Sequence, residues 1–382
     1  MMDRSFQCDI RKQVLHVSDR CFDTTSLSEL LELKNQTPEG IYRDLYTFLY
    51  AWFSEGETMK VQTSGSTGVP KVMEVSKRAM MNSACRTCRF LGLQEGDSLL
   101  LSMNLKYIGA QMMVVRALVG GLQVLLQEPC AHPLAAVRER IDFLSMVPMQ
   151  LASSLQREAE RNVLQAAKVV IVGGGAVDSL LEEQLQALSC QVYSTYGMTE
   201  TLSHIAMRPL NGPKRSDRYY PLEGVSLSLS ARSTLVIEVP DVCAGQLETN
   251  DCVSLYPDGS FVVKGRVDNV INSGGVKIQI EEDERQLQGV LSFPFAITSV
   301  PDSFYGERVV LLAERPELSA KETDEYLVLL KQTLPHYHAP RDIVFVSFLP
   351  RTENGKIDRK GCRDAALRGL KIKKGGKSVG FL

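Results

Sequence analysis

The 382-residue chain is short of several things, and each shortage excludes a class of protein. Neither charge is in excess: 43 Lys and Arg stand against 45 Asp and Glu, a formal net charge of −2. A nucleic-acid binder needs a basic surplus to neutralise phosphates, so that class is set aside. No apolar run approaches the ~18 residues of a membrane-spanning helix. The start, MMDRSFQCDIRKQ, lacks the apolar core of a secretory signal. The expectation is a soluble, cytoplasmic protein. Nine cysteines over this length do not make a disulfide scaffold. The one C-x-x-C pair, Cys85 and Cys88, has no second pair or histidine partner. It lies in the helical pattern SKRAMMNSACRTCRFLGL, which predicts packing residues rather than a metal or redox site. No repeat at solenoid spacing is found.

What is present is ample apolar material, 44% of the residues, in two kinds of pattern. Between residues 98 and 197, apolar runs alternate with amphipathic stretches. SLLLSM, LQVLLQ, DFLSMV, AKVVIVGGG and CQVYSTYG read as buried strands. GAQMMVVRALVGG, LAAVRERI, PMQLASSLQREAERN and SLLEEQLQAL read as helices. Continuous apolar strands joined by helices predict a parallel sheet covered on both faces, with ligands at the strands' carboxyl ends. From about residue 219 the pattern shortens: VSLSLSA, TLVIEV, GQLETND and GSFVVKG predict a small antiparallel subdomain. Beyond residue 268, strands FAITSV, RVVLLAE and DIVFVSF with helices IEEDERQLQGV and AKETDEYLVLLKQTLP predict a small α+β domain. The basic, Gly-rich tail GLKIKKGGKSVGFL reads as a solvated end.

The stretch TSGSTGVPK, residues 63–71, is built to hold an anion. Thr63, Ser64, Gly65, Ser66, Thr67 and Gly68 offer hydroxyls and approachable backbone N–H groups, and Lys71 adds a point charge. It is not a Walker A loop, because Lys71 comes three residues after Gly68 and is followed by Val72. Taken alone, the loop reads better as an ordinary Gly/Ser turn between strands.

With four further motifs in order, the chain resembles the adenylate-forming superfamily of acyl-CoA synthetases, peptide-synthetase adenylation domains and luciferases. TSGSTGVPK resembles its phosphate loop, TYGMTET (195–201) its adenine and magnesium motif, and ETND (248–251) its ribose motif, with Asn250 in the glycine place. GRVDNVINSGGVKI (265–278) resembles the hinge motif, and PRTENGKIDRK (350–360) the catalytic-lysine motif. The resemblance implies activation of a carboxylate as an acyl-AMP from ATP, then displacement of AMP by a thiol. It implies that Thr63 to Gly68 and Lys71 hold the β and γ phosphates. Tyr196, Gly197 and Met198 would flank adenine, and Gly173, Gly174 and Gly175 would let backbone approach the adenine or acyl group. Thr199 would contact the α-phosphate, and Glu200 would bind Mg²⁺. Asp251, with Arg266, would accept from the ribose hydroxyls. Lys356 would bridge the α-phosphate and the attacking carboxylate. It further implies an N-terminal domain over 1–265, a hinge at 266–268 pivoting on Asp268, and a mobile domain over 269–382. In its second pose Gly274 and Gly275 would line a pantetheine tunnel for coenzyme A.

Only about sixty residues precede the phosphate loop, fewer than in many relatives. In that compactness, and in KYIGAQMMVVRAL and YGMTETLSHIAMRPLNG, the chain resembles short o-succinylbenzoate–CoA ligases of menaquinone-making bacteria. That acid carries a second, aromatic carboxylate that must be compensated in the pocket. Lys106, Tyr107, Ser203 and His204 are the candidate contacts. Lys106 reads equally as a solvent lysine at a strand end, and Tyr107 and His204 as packing residues. Another aryl or short-chain acid, or a carrier-protein thiol as acceptor, remains an alternative, as does a non-catalytic adenylate-binding protein.

Overall fold

A computed structural model describes residues 6–62, 72–352 and 356–375, the last four as main chain. The chain divides into two compact units. The first is Met1–Ser228 with Val236–Leu247 and Tyr256–Phe261; the second is Leu229–Leu235 and Glu248–Leu255 with Val262–Leu382.

In the first unit, β1 (Leu15–Val17) and β2 (Arg20–Phe22) form a hairpin, as do β3 (Thr58–Gln62) and β4 (Val72–Ser76). The main sheet continues with β5 (Ser98–Leu101), β6 (Gln123–Leu126), β7 (Phe143–Met146), β8 (Val169–Val172), β9 (Gln191–Gly197), β10 (His204–Pro209) and β11 (Tyr220–Pro221). Its order is β11-β10-β9-β8-β7-β5-β6-β1-β2, parallel from β9 through β1 and antiparallel at both edges. Side chains alternate along each strand between two cores. Leu99, Leu101, Val169 and Ile171 enter one, and Leu100, Leu144, Val170 and Val172 enter the other. That explains why these strands read as unbroken apolar runs: both faces are covered.

Two helical expectations in this unit are corrected. LAAVRERI forms turns, not a helix. It follows Pro133, and the Arg138 guanidinium donates to the Ala135 and Val137 carbonyls. The stretch from Pro148 divides into helices Pro148–Leu155 and Glu158–Ala166, because Arg157 is extended (φ −111°, ψ 122°). Buried Glu160 ties the break together, accepting from Ser154 Oγ at 2.7 Å and lying 2.9 Å from His132 Nδ1.

A four-stranded sheet of β12 (Ser226–Leu229), β13 (Thr234–Glu238), β14 (Gln246–Leu255) and β15 (Phe261–Arg266) pairs in chain order. The second unit also holds β16 (Val270–Ser273), β17 (Val276–Gln279), β18 (Phe295–Asp302), β19 (Gly306–Glu314) and β20 (Asp342–Val346). Their order is β17-β16-β19-β18, with β20 parallel to β19. Helices Ile280–Gln288 and Ala320–Thr333 cover one face through Leu287 and Leu330, against Val309 and Leu311. Helix Arg359–Gly375 covers the other, with Cys362, Ala366 and Leu370 against Val310 and Leu312. The tail read as a solvated end is therefore helical as far as Gly375, because that four-residue apolar spacing has a sheet to pack on. No helix among the described residues is long and apolar enough to cross a membrane.

The sole tryptophan, Trp52, is fully buried and donates Nε1–H to Gln13 Oε1 at 2.9 Å. Gln13, also buried, donates back to the Gln7 carbonyl at 2.7 Å. Gln13→Leu strands both groups and is expected to cost about 1–3 kcal/mol. Urea unfolding followed by tryptophan fluorescence measures this.

Candidate active site

Three strand ends of the first unit shape the site. β8 runs out into Gly173, whose N–H bonds the Met146 carbonyl at 3.0 Å. A Cβ there would come within 2.9 Å of Thr195 Oγ1, and Gly174 has φ +79°. The crest beside β9 is thus bare backbone, as a close approach by a flat ligand requires. Tyr196, half-buried on β9, meets Phe261 edge-on at 5.0 Å, and Phe261 stacks with Tyr219 at 5.5 Å. Tyr219 is fixed by a 2.8 Å hydroxyl contact with Ser194. At Gly197 any Cβ would collide with the Ser203 carbonyl and the His204 Cα.

Met198 to Ser203 turn the chain from β9 to β10. Thr201 pins the turn: its Oγ1 accepts from Met198 N–H at 3.0 Å and lies 3.0 Å from the Met198 carbonyl and 2.7 Å from the Ser203 carbonyl. Leu202, 2% exposed, takes φ +63°, a conformation that costs a side-chain-bearing residue energy and persists only where its surroundings enforce it. Half-buried Thr199 and Glu200 ride on this turn. Glu200 supplies one carboxylate, a fitting share for Mg²⁺ when phosphates supply the rest.

Beneath the turn lies a buried polar chain. Arg116, on helix Ile108–Gly120, is 2% exposed, and no carboxylate among the described residues lies within ion-pair distance. Its Nη2 donates to Ser203 Oγ at 2.5 Å, its Nη1 meets only Met113 Sδ at 3.5 Å, and its Nε has no partner. Burial lowers its pKa to about 10. His204 is buried with Nδ1 3.4 Å from Ser203 Oγ and Nε2 2.9 Å from Thr87 Oγ1. Burial, with the Arg116 charge adding, holds its pKa well below the ordinary 6.5.

The second unit carries a charged cluster. Arg266 Nη1 bonds Asp251 at 3.1 Å and Nη2 bonds Asp268 at 2.8 Å. Asn250, in the place of the motif glycine, donates to both Asp268 oxygens at 3.1 and 3.3 Å. Lys356 lies exposed, with its carbonyl accepting from Thr352 N–H at 2.8 Å. Desolvation by surrounding protein leads in lowering its pKa, the Arg266 charge adds, and Asp251 opposes. Gly274 (φ +60°) and Gly275 (φ +81°) form the two-residue turn between β16 and β17, which needs positive φ at both positions.

The structure therefore gathers Gly173–Gly175, Tyr196–Glu200, Ser203 and His204 around the ends of β8, β9 and β10, and separately gathers Asp251, Arg266, Asp268 and Lys356. Lys106 is exposed and lines an open depression of about 410 Å³ with Asp44, Thr58 and Lys60; neither Ser203 nor His204 lines it. Tyr107 is half-buried at the start of the Arg116 helix, its backbone bridged to Gln62. The phosphate-loop candidates Thr63, Ser64, Gly65, Ser66, Thr67, Gly68 and Lys71 lie outside the described residues. Arg116 and Thr87 were missed by sequence reasoning. A lone arginine inside the apolar run MMVVRALV was the available signal for the first.

Residues 61–232 match the family described as AMP-binding enzyme. The chain is 32% identical to an AMP-forming acyl-CoA synthetase/AMP-acid ligase II-like protein from Dyadobacter fermentans, over 87% of this chain and 97% of that one (TM-score 0.58). The chain belongs to the AMP-binding family of adenylate-forming acid–CoA ligases. The family's reaction uses ATP, Mg²⁺ and coenzyme A. Among relatives, the 2-succinylbenzoate–CoA ligase of Haemophilus influenzae is 28% identical over 91% of this chain and 76% of its own length. The Escherichia coli enzyme of that name is 26% identical over 80% and 68%. At the level of fold alone, the chain is similar to an o-succinylbenzoate CoA synthetase from Bacillus subtilis solved with its acyl-adenylate (TM-score 0.71, 18% identity, 91% and 94% covered).

Neutral burial of His204 gives a pH prediction. Below pH 6.5 the unfolded chain binds a proton that the folded chain refuses, so stability declines as pH falls from there towards the folded-state pKa. The decline from this group approaches ~1.4 kcal/mol per pH unit. His204→Gln should flatten the difference between denaturation curves at pH 7 and pH 5.5.

Proposed function

We propose that the acid this ligase activates is o-succinylbenzoate, converted to its CoA thioester through an acyl-AMP. The observation that carries the choice is the Arg116 guanidinium, buried with no carboxylate among the described residues within ion-pair distance. A buried cation left so costs several kcal/mol unless a ligand brings the compensating charge. Of the two carboxylates of o-succinylbenzoate, the succinyl one reacts with the α-phosphate of ATP. The ring carboxylate stays ionised and meets Arg116, directly or through the Ser203 hydroxyl that Arg116 holds. A monocarboxylic acid would leave the arginine uncompensated. The relatives named for the same acid support this reading.

In this proposal Tyr196 offers its ring to adenine beside the bare backbone of Gly173–Gly175. Thr199 donates to the α-phosphate and Glu200 takes the Mg²⁺. Asp251, oriented by Arg266, accepts from the ribose. Lys356 neutralises the charge that gathers on the α-phosphate as the carboxylate attacks. Residues 266–268 act as a hinge between a domain over 1–265 and one over 269–382. Coenzyme A attacks the acyl-AMP carbonyl, forming the thioester and releasing AMP. Supplies of ATP and coenzyme A place the reaction in the cytoplasm.

ATP–pyrophosphate exchange over a panel of acids tests the substrate: o-succinylbenzoate should support it far above benzoate and succinate. Equal exchange with acids lacking one carboxylate overturns the reading. Lys356→Ala should lower acyl-AMP formation by about 10²–10³-fold, while CoA thioester formation from supplied acyl-AMP falls much less.

A further inference from the structure

The C-x-x-C spacing of Cys85 and Cys88 is not where thiols meet. Both lie on helix Lys77–Leu91, but they face different neighbours. Cys88 is fully buried, with Sγ 3.8 Å from the Arg116 carbonyl. Cys85 Sγ instead lies 3.2 Å from the Sγ of Cys8, a residue 77 positions earlier in the chain. Both are free thiols. The segment that carries Cys8 is anchored on each side of it. Gln7 donates its N–H to the Val119 carbonyl at 2.9 Å, and Asp9 opens the turn Ile10–Lys12 by accepting from Arg11 N–H at 3.1 Å. Gln13 Nε2 then lies 3.3 Å from Met81 Sδ, and Met81 stands one helical turn before Cys85. The segment thus runs along one stripe of the helix, with Gln13 beside Met81 and Cys8 beside Cys85.

We infer that Cys8 and Cys85 are a disulfide-forming site, open in a reducing compartment and closed by an oxidised small thiol. Thiol–disulfide exchange supplies the chemistry. Cys8 is half-buried and Cys85 is 7% exposed, so exchange begins at Cys8. Its thiolate attacks one sulfur of the small disulfide, forming a mixed disulfide and releasing one small thiol. Cys85 then attacks the Cys8 sulfur, the protein S–S bond forms, and the second small thiol leaves. Two protein thiols lose two electrons and two protons, and one small disulfide becomes two thiols. Burial first, and then the adjacent Cys8 thiol, pushes the Cys85 thiol up, which keeps it from starting the exchange. In the second step its target is already held in contact, and that proximity offsets the small thiolate fraction. Closure brings the sulfurs from 3.2 Å to the roughly 2.0 Å of a bond. Cys8 lies outside helix and strand and can supply this movement, while the helix stays in place.

Mass spectrometry of the full chain tests this without any substrate. Trypsin cuts after Arg4, Arg11, Arg78, Arg86 and Arg89, so Cys8, Cys85 and Cys88 fall in three separate peptides. The native enzyme is treated with oxidised glutathione at neutral pH, quenched with N-ethylmaleimide and digested. The peptides of Cys8 and Cys85 should appear joined, two hydrogens lighter than their sum, and dithiothreitol should separate them. In Cys85→Ser the mixed disulfide has nothing to resolve it, so glutathione should accumulate on Cys8. In Cys8→Ser, Cys85 should remain alkylatable after unfolding. Wild-type enzyme that keeps glutathione on Cys8 with Cys85 still alkylatable, a bond from Cys85 to Cys88, or an unreacted Cys8 overturns the inference. So does dominance of the same pair when the chain is oxidised unfolded in urea, because the fold would then not be what selects it.

Discussion

A positive charge with no negative partner among the described residues sits inside the larger unit, and much of the candidate site is arranged around it. Arg116 lies on a helix buried almost all round, so its guanidinium has no route to water along its stem. A protein carboxylate beside it would have stabilised the fold, and would have cancelled the charge before any substrate arrived. The chain places hydroxyls and a neutral imidazole there instead, groups that polarise towards a cation without neutralising it. The suppressed pKa of His204 comes first from its burial, to which the neighbouring Arg116 charge adds.

The chain proposed to recognise the acid is attached to the proposed nucleotide contacts through a short main-chain turn. Gly197, Thr201 and the positive-φ Leu202 fix the turn whose near side carries Thr199 and Glu200 and whose far side carries Ser203 and His204. The β9–β10 pairing slips between His204 and Ala206, which lets the turn end without a regular register. The residues proposed to sense the acid and to hold the phosphate-bound metal thus fall within six residues of one backbone turn, Thr199 to His204.

The sheet was legible because its physics is local. Leu99 to Leu101 and Val169 to Val172 are unbroken apolar strands only because helices cover both faces, and the glycines that follow Val172 mark one strand end as bare backbone. The conformation of LAAVRERI was not legible, since its helical period is overruled by Arg138 capping carbonyls locally. The final helix was missed for the converse reason: basic residues masked the apolar spacing of Cys362, Ala366 and Leu370, which acquires meaning only against a sheet. Motif order singles out Tyr196, Glu200, Asp251 and Lys356 as candidates, but no motif points to Thr87. A threonine in an amphipathic helix carries no mark of its partner 117 residues away. Arg116 did carry a mark, a charge in an apolar run, whose significance depends on the missing counter-ion that only three dimensions reveal.

The central claim is that Arg116 is charged for the second carboxylate of the acid. A double-mutant cycle crossing Arg116→Leu with the removal of that carboxylate from the acid, read as kcat/KM for pyrophosphate release, tests it most directly. The account predicts that losing the ring carboxylate costs the wild-type enzyme at least about a hundredfold, as for a buried charge pair broken on one side, and costs the leucine variant almost nothing. Equal losses in both enzymes would contradict it.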